Sequence, residues 1–230
     1  MGNVNVYSFL KFAKAEYLHK MRNEGSLHLK SLRYYAELED TEKGDPFEGV
    51  DRIWQPKHIG ELTIRTNTSL GNFTATPLRD LAGPVRFRWN RVMDCNVYCL
   101  FAITGPVDGE LAEVRLRDMG DSAVLILNPS EFRNRIYSAA YKAGLNCQGG
   151  AVEYYSGEDY SGTVGPFRKR SRFAYQQEYR FVVWPGSGSP RELTLGSMKD
   201  ITSEVLPASE VNQCLDFSTK SFQEAGLGAA

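Results

Sequence analysis

Late in the chain, Tyr175-Gln176-Gln177-Glu178-Tyr179-Arg180-Phe181 sets an amide and a carboxylate two residues apart at the start of an apolar run. In an extended segment, alternation puts Gln176 and Glu178 on one face and Tyr179 and Phe181 on the other. An amide beside a carboxylate can hold two neighbouring groups of a substrate; the alternative is that Glu178 simply pairs with a nearby arginine. Just upstream, Phe167-Arg168-Lys169-Arg170-Ser171-Arg172-Phe173 gathers four cations between two rings. Guanidinium groups match phosphate oxygens, and the rings suit a cofactor ring or an unstacked base, unless the stretch is only a solvated patch. Early in the chain stand Glu37, Glu39, Asp40, Glu42, Asp45, Glu48 and Asp51, seven carboxylates in fifteen residues against the single Lys43. Their spacing does not fit an EF-hand. Within them, Gly44-Asp45-Pro46-Phe47-Glu48-Gly49 is a stiff turn with two placed acids, so Asp45 is a candidate to line a ligand site.

Other chemistries are struck off by what is missing. There is no GxGxxG, Walker A or GxSxG motif, His19, His28 and His58 have no metal-ligand spacing, and no metal site is expected. Cys95, Cys99, Cys147 and Cys214 form no CxxC pair and read as free thiols in a reducing compartment. No stretch approaches the apolar length of a membrane span, and the N-terminus has neither a signal-peptide pattern nor a myristoylation site, since Val6 stands where Ser or Thr is wanted. A soluble, cytoplasmic protein with no membrane partner is expected. The net charge of −1 is a cancellation: residues 37–51 carry −6 and residues 167–180 carry +4, and these opposed segments mark where a site belongs.

The elements that must position these residues read as α+β. Val4–Phe9 alternates as a strand, Lys11–Glu24 carries a helical apolar face closed by Gly25, and Ser26–Leu32 alternates again. A short helix is expected over Arg33–Glu39. Residues 47–94 form an excursion with strands at Glu61–Thr66 and Pro84–Trp89. Cys95–Ile103 and Ala123–Leu127 are continuous apolar runs of strand length, as in strands covered on both faces. A helix over Phe132–Ala143 follows Asn128-Pro129, Gly150–Tyr155 is another strand, and the second half of Ala174–Trp184 is a strand. Arg191–Gly196 and Ile201–Pro207 complete the set, with a frayed tail from about residue 223. One domain over 1–230 is expected.

Gln176-Gln177-Glu178 opening an apolar strand resembles the Q-x-E signature of the ADP-ribosyltransferase-like superfamily. The opening Val6-Tyr7-Ser8, helix, Gly25 and strand resemble the start of its small bacterial members. Gly44-Asp45-Pro46-Phe47-Glu48-Gly49 with Glu178-Tyr179-Arg180 also resembles a bacterial group carrying an N-D-P-F-E loop early and an E-x-E-Y-R strand late. The resemblance implies split mixed β-sheets that clamp NAD, with helices to one side, and mono-ADP-ribosylation of a cytosolic macromolecule, RNA or DNA before protein. It implies Glu178 on the nicotinamide ribose 2′-hydroxyl, opposing the positive charge that develops as nicotinamide leaves, and Gln176 orienting the acceptor. It further implies Tyr98 stacked on nicotinamide, Tyr7 and Ser8 on the pocket floor, Asp45 near the cofactor, and Arg168 or a neighbour on the diphosphate. Small enzymes of this kind look like intracellular toxins of toxin–antitoxin or phage-defence modules, which implies an antitoxin or inhibitor partner. The sequence differs from the superfamily on the first strand, where Val6-Tyr7-Ser8 lacks the usual Arg or His. Two readings from other classes compete: a metal-dependent nuclease built on the Glu37–Asp51 acids, and a non-enzymatic nucleic-acid or protein-binding module built on the basic loop.

Overall fold

The computed structural model describes residues 6–38, 44–67, 73–105, 114 and 120–215. Strand β1 (Val6–Ala13) runs four residues beyond the expected Phe9, and helix α1 (Ala15–Glu24) starts later than Lys11. The cause is burial on both faces: Phe9, Leu10 and Phe12 are all inside, so the alternation that marks a half-buried strand is lost. Gly25 closes α1 in the left-handed region at φ 71°, its N–H on the Met21 carbonyl. A Cβ there would sit 2.0 Å from the Gly196 carbonyl oxygen, so the cap also allows a close backbone approach. Strand β2 (Ser26–Ser31) buries Leu27, Leu29 and Ser31 by alternation, and Ser31 then caps α2 (Leu32–Glu37) by accepting the Tyr34 N–H.

The excursion holds β3 (Arg52–Trp54), β4 (Leu62–Asn67), β5 (Phe73–Leu78), β6 (Val85–Phe87) and α3 (Asn90–Met93). Beyond it come β7 (Asn96–Thr104), β8 (Ser122–Ile126) and α4 (Pro129–Lys142), whose N-terminus is capped by the Asn128 side chain accepting the Glu131 N–H. The expected strand at Gly150–Tyr155 is two strands, β9 (Asn146–Ala151) and β10 (Glu153–Tyr155). They are followed by β11 (Gly162–Thr163), β12 (Arg168–Arg170), β13 (Glu178–Trp184), β14 (Arg191–Thr194), β15 (Leu206–Pro207) and α5 (Val211–Cys214). The frayed tail expected from about residue 223 lies outside the described residues.

This is a mixed α+β fold with several antiparallel sheets and few helices, and its central strand is β7. One edge of β7 pairs with β13 from Asn96 to Phe101, and β9 lies beyond β13. The other edge is shared: β2 pairs only at Asn96 and Val97, and β1 takes over from Phe101. The sheet therefore splits at Tyr98–Leu100 into a β2–β14 branch and a β1–β8–β15 branch. Helices lie on both faces rather than to one side. On the first face Leu18 and Met21 of α1 and Phe132, Ile136 and Ala140 of α4 pack with Phe9, Leu100 and Phe181. On the second, Leu32 of α2 packs with Val97 and Val182, and Val211 of α5 with Leu10 and Phe101.

Candidate active site

The second face of β7 and β13 carries charge where apolar residues are expected. Antiparallel register sets Glu178 opposite Phe101 and Arg180 opposite Cys99, so both charged side chains share a face with Val182. Gln176 is not on the strand: it ends a 3-10 turn over Ser171–Gln176, and Gln177 follows in the left-handed region at φ 39°. The turn replaces the expected alternation, yet Gln176 and Glu178 still line the same cavity, of about 210 Å³. Tyr154 fixes the strand start by accepting the Glu178 backbone N–H at 2.9 Å.

Beneath Glu178 lies a closed set of four charges. Arg180 Nη1 and Nη2 donate to the two carboxylate oxygens of Glu48 at 2.6 and 2.9 Å, and Nη2 also donates to Glu178 Oε2 at 2.8 Å. Lys169 Nζ donates to Gln176 Oε1 at 2.7 Å and lies 3.4 Å from Glu178 Oε2 and 3.9 Å from Glu48 Oε2. Glu48, Lys169 and Arg180 are buried, and the formal charges of the four cancel, which a low-dielectric interior requires. Burial alone would raise the Glu178 carboxyl, but Arg180 and Lys169 outweigh it and hold the group well below the ordinary carboxylate range. Glu178 is thus a permanent anion, suited to accepting hydrogen bonds and opposing positive charge, not to donating a proton. The Cys99 thiol beside it is pushed up to about 12 by burial and by the Glu178 charge, so it stays protonated.

The supporting shell joins the two oppositely charged segments of the sequence. Asp45 is buried, accepts the Phe47 N–H at 3.0 Å, and takes Arg170 Nη2 at 2.5 Å. This turn carries Glu48 under Arg180. The basic stretch is spent in the same way: Lys169 points into the cluster, while Arg168 donates to Glu153 at 2.8 Å and to the Thr163 carbonyl at 2.6 Å.

Lys11 lies outside this cluster. Lys11 Nζ donates to the Cys99 carbonyl at 2.8 Å, at the edge where the sheet splits, and sits 4.4 Å over the Tyr98 ring. Among the described residues no carboxylate pairs with it. Burial lowers its pKa, against the opposing pull of Cys99 and Glu178. Lys11, Phe12 and Tyr35 also line a second cavity of about 470 Å³, together with Tyr17, Tyr98, Lys20, His28 and Lys30. The two cavities meet at the split.

Of the residues singled out in the sequence, Glu178 and Gln176 come together on the first cavity and Tyr98 lines the second, its ring face under Lys11 and its hydroxyl on Met21 Sδ at 3.1 Å. Tyr7, Ser8, Asp45 and Arg168 line neither. Tyr7 is exposed, and Ser8 Oγ donates to the Ile126 carbonyl. Of the acids in 37–51, Glu39, Asp40 and Glu42 lie outside the described residues, and Asp45 and Glu48 each face a guanidinium. Among the described residues no group of three or more His, Cys, Asp or Glu is placed to hold a metal. Sequence reasoning missed Lys11, Tyr35, Glu48, Lys169 and Arg180 as a set. The available signal was a basic residue inside an apolar strand, Lys11 in Phe9–Phe12 and Arg180 in Tyr179–Trp184. Comparison with family models, curated proteins and solved structures finds no match to this chain.

Proposed function

We propose that the protein transfers ADP-ribose from NAD to a macromolecular acceptor, with Glu178 as the catalytic carboxylate. The observation that carries this reading is a permanently ionised glutamate, locked by Arg180 and Lys169, on the wall of a cavity that opens where the central sheet splits. The residues fit the donor's parts. Glu178 offers an anion to the nicotinamide ribose, Lys11 offers the diphosphate an ammonium that pairs with no carboxylate among the described residues, and Tyr35 and Phe12 give apolar walls common to both cavities. Lys11 takes the place of Arg168 as the diphosphate group, because Arg168 is engaged with Glu153.

In the reaction the bond between ribose C1′ and the nicotinamide nitrogen breaks, its electron pair leaving with nicotinamide. Glu178 accepts the ribose 2′-hydroxyl and opposes the positive charge developing on the sugar. The acceptor adds its lone pair to C1′ and loses a proton to solvent, with Gln176, held by Lys169, orienting it. Preorganised groups aimed at developing charge supply large catalytic terms, typically about 10²–10³-fold for one donor. RNA or DNA is proposed before protein as acceptor, in an intracellular toxin restrained by an inhibitor protein. The test is incubation with NAD and RNA, DNA or protein, followed by mass spectrometry for an added ADP-ribose. Transfer is expected, and is lost in Glu178→Gln while the variant stays folded by circular dichroism. Full transfer in that variant overturns the assignment.

A further inference from the structure

We infer that the outer face of the small β11–β3–β6 sheet is a docking surface for single-stranded nucleic acid. Register sets Arg52 opposite Phe87 and Trp54 opposite Val85, so these four share a face, while Ile53, alternate to them, is buried inward with Val50 and Val164. Trp89 continues the extended backbone past Phe87. The result is three large rings left in solvent, Trp54 at 40%, Phe87 at 46% and Trp89 at 55% exposed. Their orientation is fixed from below: the Trp89 indole N–H donates to Asp51 Oδ2 at 3.2 Å, and Phe87 lies in the ladder through its carbonyl, which accepts the Asp51 N–H at 2.8 Å.

Charge selects the occupant. The stretch Pro84–Met93 holds Arg86, Arg88 and Arg91 and no acid. Among the described residues none of the three forms a salt bridge, unlike Arg168, Lys169 and Arg170 of the basic loop. Arg91 lies 5.9 Å over the Trp89 ring, Arg86 4.8 Å over Phe47, and Arg88 donates to the Pro46 carbonyl. Burial and the neighbouring Arg86 charge lower the Arg88 pKa, against the opposing pull of Asp45. Alternation turns Arg86 and Arg88 to the other side of this segment, toward the Asp45–Gly49 turn at the platform's edge, and leaves Arg52 and Arg91 beside the rings. Rings at alternating positions with cations beside them and at their edge match splayed bases, which stack on aromatic faces, and phosphates, which take the cations. The platform's arginines reach the Asp45–Gly49 turn that carries Glu48 under the Glu178 cluster. Its use as the acceptor surface rests on the transferase reading; its binding of nucleic acid does not.

The full chain, without NAD, is titrated with single-stranded 12-mers of DNA and RNA while tryptophan emission is followed, two of the chain's three tryptophans being on the platform. Saturable quenching is expected, weakening steeply with salt. Trp54→Ala and Phe87→Ala each weaken binding about 10-fold or more, Trp89→Phe retains it, and a duplex of the same length binds less tightly. No saturable quenching with either oligonucleotide at low salt overturns the inference. So do folded alanine variants that bind like the parent, and self-association of the free chain that itself shields the tryptophans. Failure of ADP-ribose transfer with binding intact removes only the enzymatic reading.

Discussion

Replacing Glu48 by alanine deletes both carboxylate oxygens that Arg180 uses at 2.6 and 2.9 Å and takes the four-charge cluster from neutral to +1. Arg180 keeps Glu178 and the Pro166 carbonyl, but its buried guanidinium loses its bidentate partner, and Lys169 loses its 3.9 Å neighbour. Breaking a buried pair on one side costs about 3–5 kcal/mol. For a chain of this size that lowers the melting temperature by roughly 6–20 °C. Arg180→Met alone leaves the cluster at −1 and is expected to cost a similar amount. The double variant retains only Lys169 and Glu178 and is neutral again, so it is expected to be less destabilised than the sum of the singles, by about 1–3 kcal/mol. Urea unfolding of the four proteins followed by circular dichroism measures the cycle. A Glu48→Ala cost below about 1 kcal/mol, or singles that add within about 0.5 kcal/mol, refutes the view that charge balance holds this cluster together.

Lys11→Met removes a desolvated cation with no carboxylate partner and is expected to raise KM for NAD at least about 10-fold, the scale of one charge-assisted contact, while leaving the melting temperature equal or higher; steady-state kinetics and a thermal melt check both. Because the folded pKa of Glu178 is depressed, its stabilisation is complete above the unfolded carboxyl value, about 4.3, and is lost as pH falls toward the folded value. Acid unfolding curves are therefore expected to be shallower in Glu178→Gln between about pH 4.5 and 2. Cys214 is exposed, whereas the Cys99 and Cys147 thiols are pushed up to about 12 and about 11 and Cys95 is also raised. A thiol reagent at pH 8 is thus expected to titrate one fast cysteine, with the other three reacting on unfolding. Reduced NAD, whose nicotinamide ring is uncharged, is expected to compete less well than NAD, as displacement of a labelled dinucleotide would report.

The central strands were legible because burial on both faces leaves a direct trace: Cys95–Ile103 and Ala123–Leu127 differ from β7 and β8 by only a residue at each end. The same burial hides the end of β1: Phe12 falls in line with the helical face of Tyr17, Leu18 and Met21, so the pattern starts the helix at Lys11 and loses that residue's place at the split. Glu178 and Gln176 were found from local spacing. Their partners were not, because Glu48 lies 132 residues from Arg180 and no periodicity encodes an ion pair at that range. The opposed charges of residues 37–51 and 167–180 mark the two segments but not their pairing, in which Asp45 meets Arg170 and Glu48 meets Lys169 and Arg180. The basic loop misled for the same reason: Lys169 and Arg170 meet those acids and Arg168 meets Glu153, whereas among the described residues Lys11, Arg86, Arg88 and Arg91 form no salt bridge.

That distribution bears on what the split can accept. Four clustered charges that sum to zero leave little net field, so the ligand is sorted by the groups that face the cavities singly. On one side is Glu178, held ionised by Arg180 and Lys169; across the split is Lys11, whose ammonium donates to the Cys99 carbonyl and among the described residues pairs with no carboxylate. A purely anionic ligand is repelled at Glu178 and a purely cationic one at Lys11. A molecule with a positive ring at one end and a diphosphate further along satisfies both, and in a low-dielectric cavity each contact is stronger than in water. NAD has this separation of charge, and in the proposed reaction the nicotinamide ring would leave neutral while the positive charge passes to the ribose that Glu178 would face.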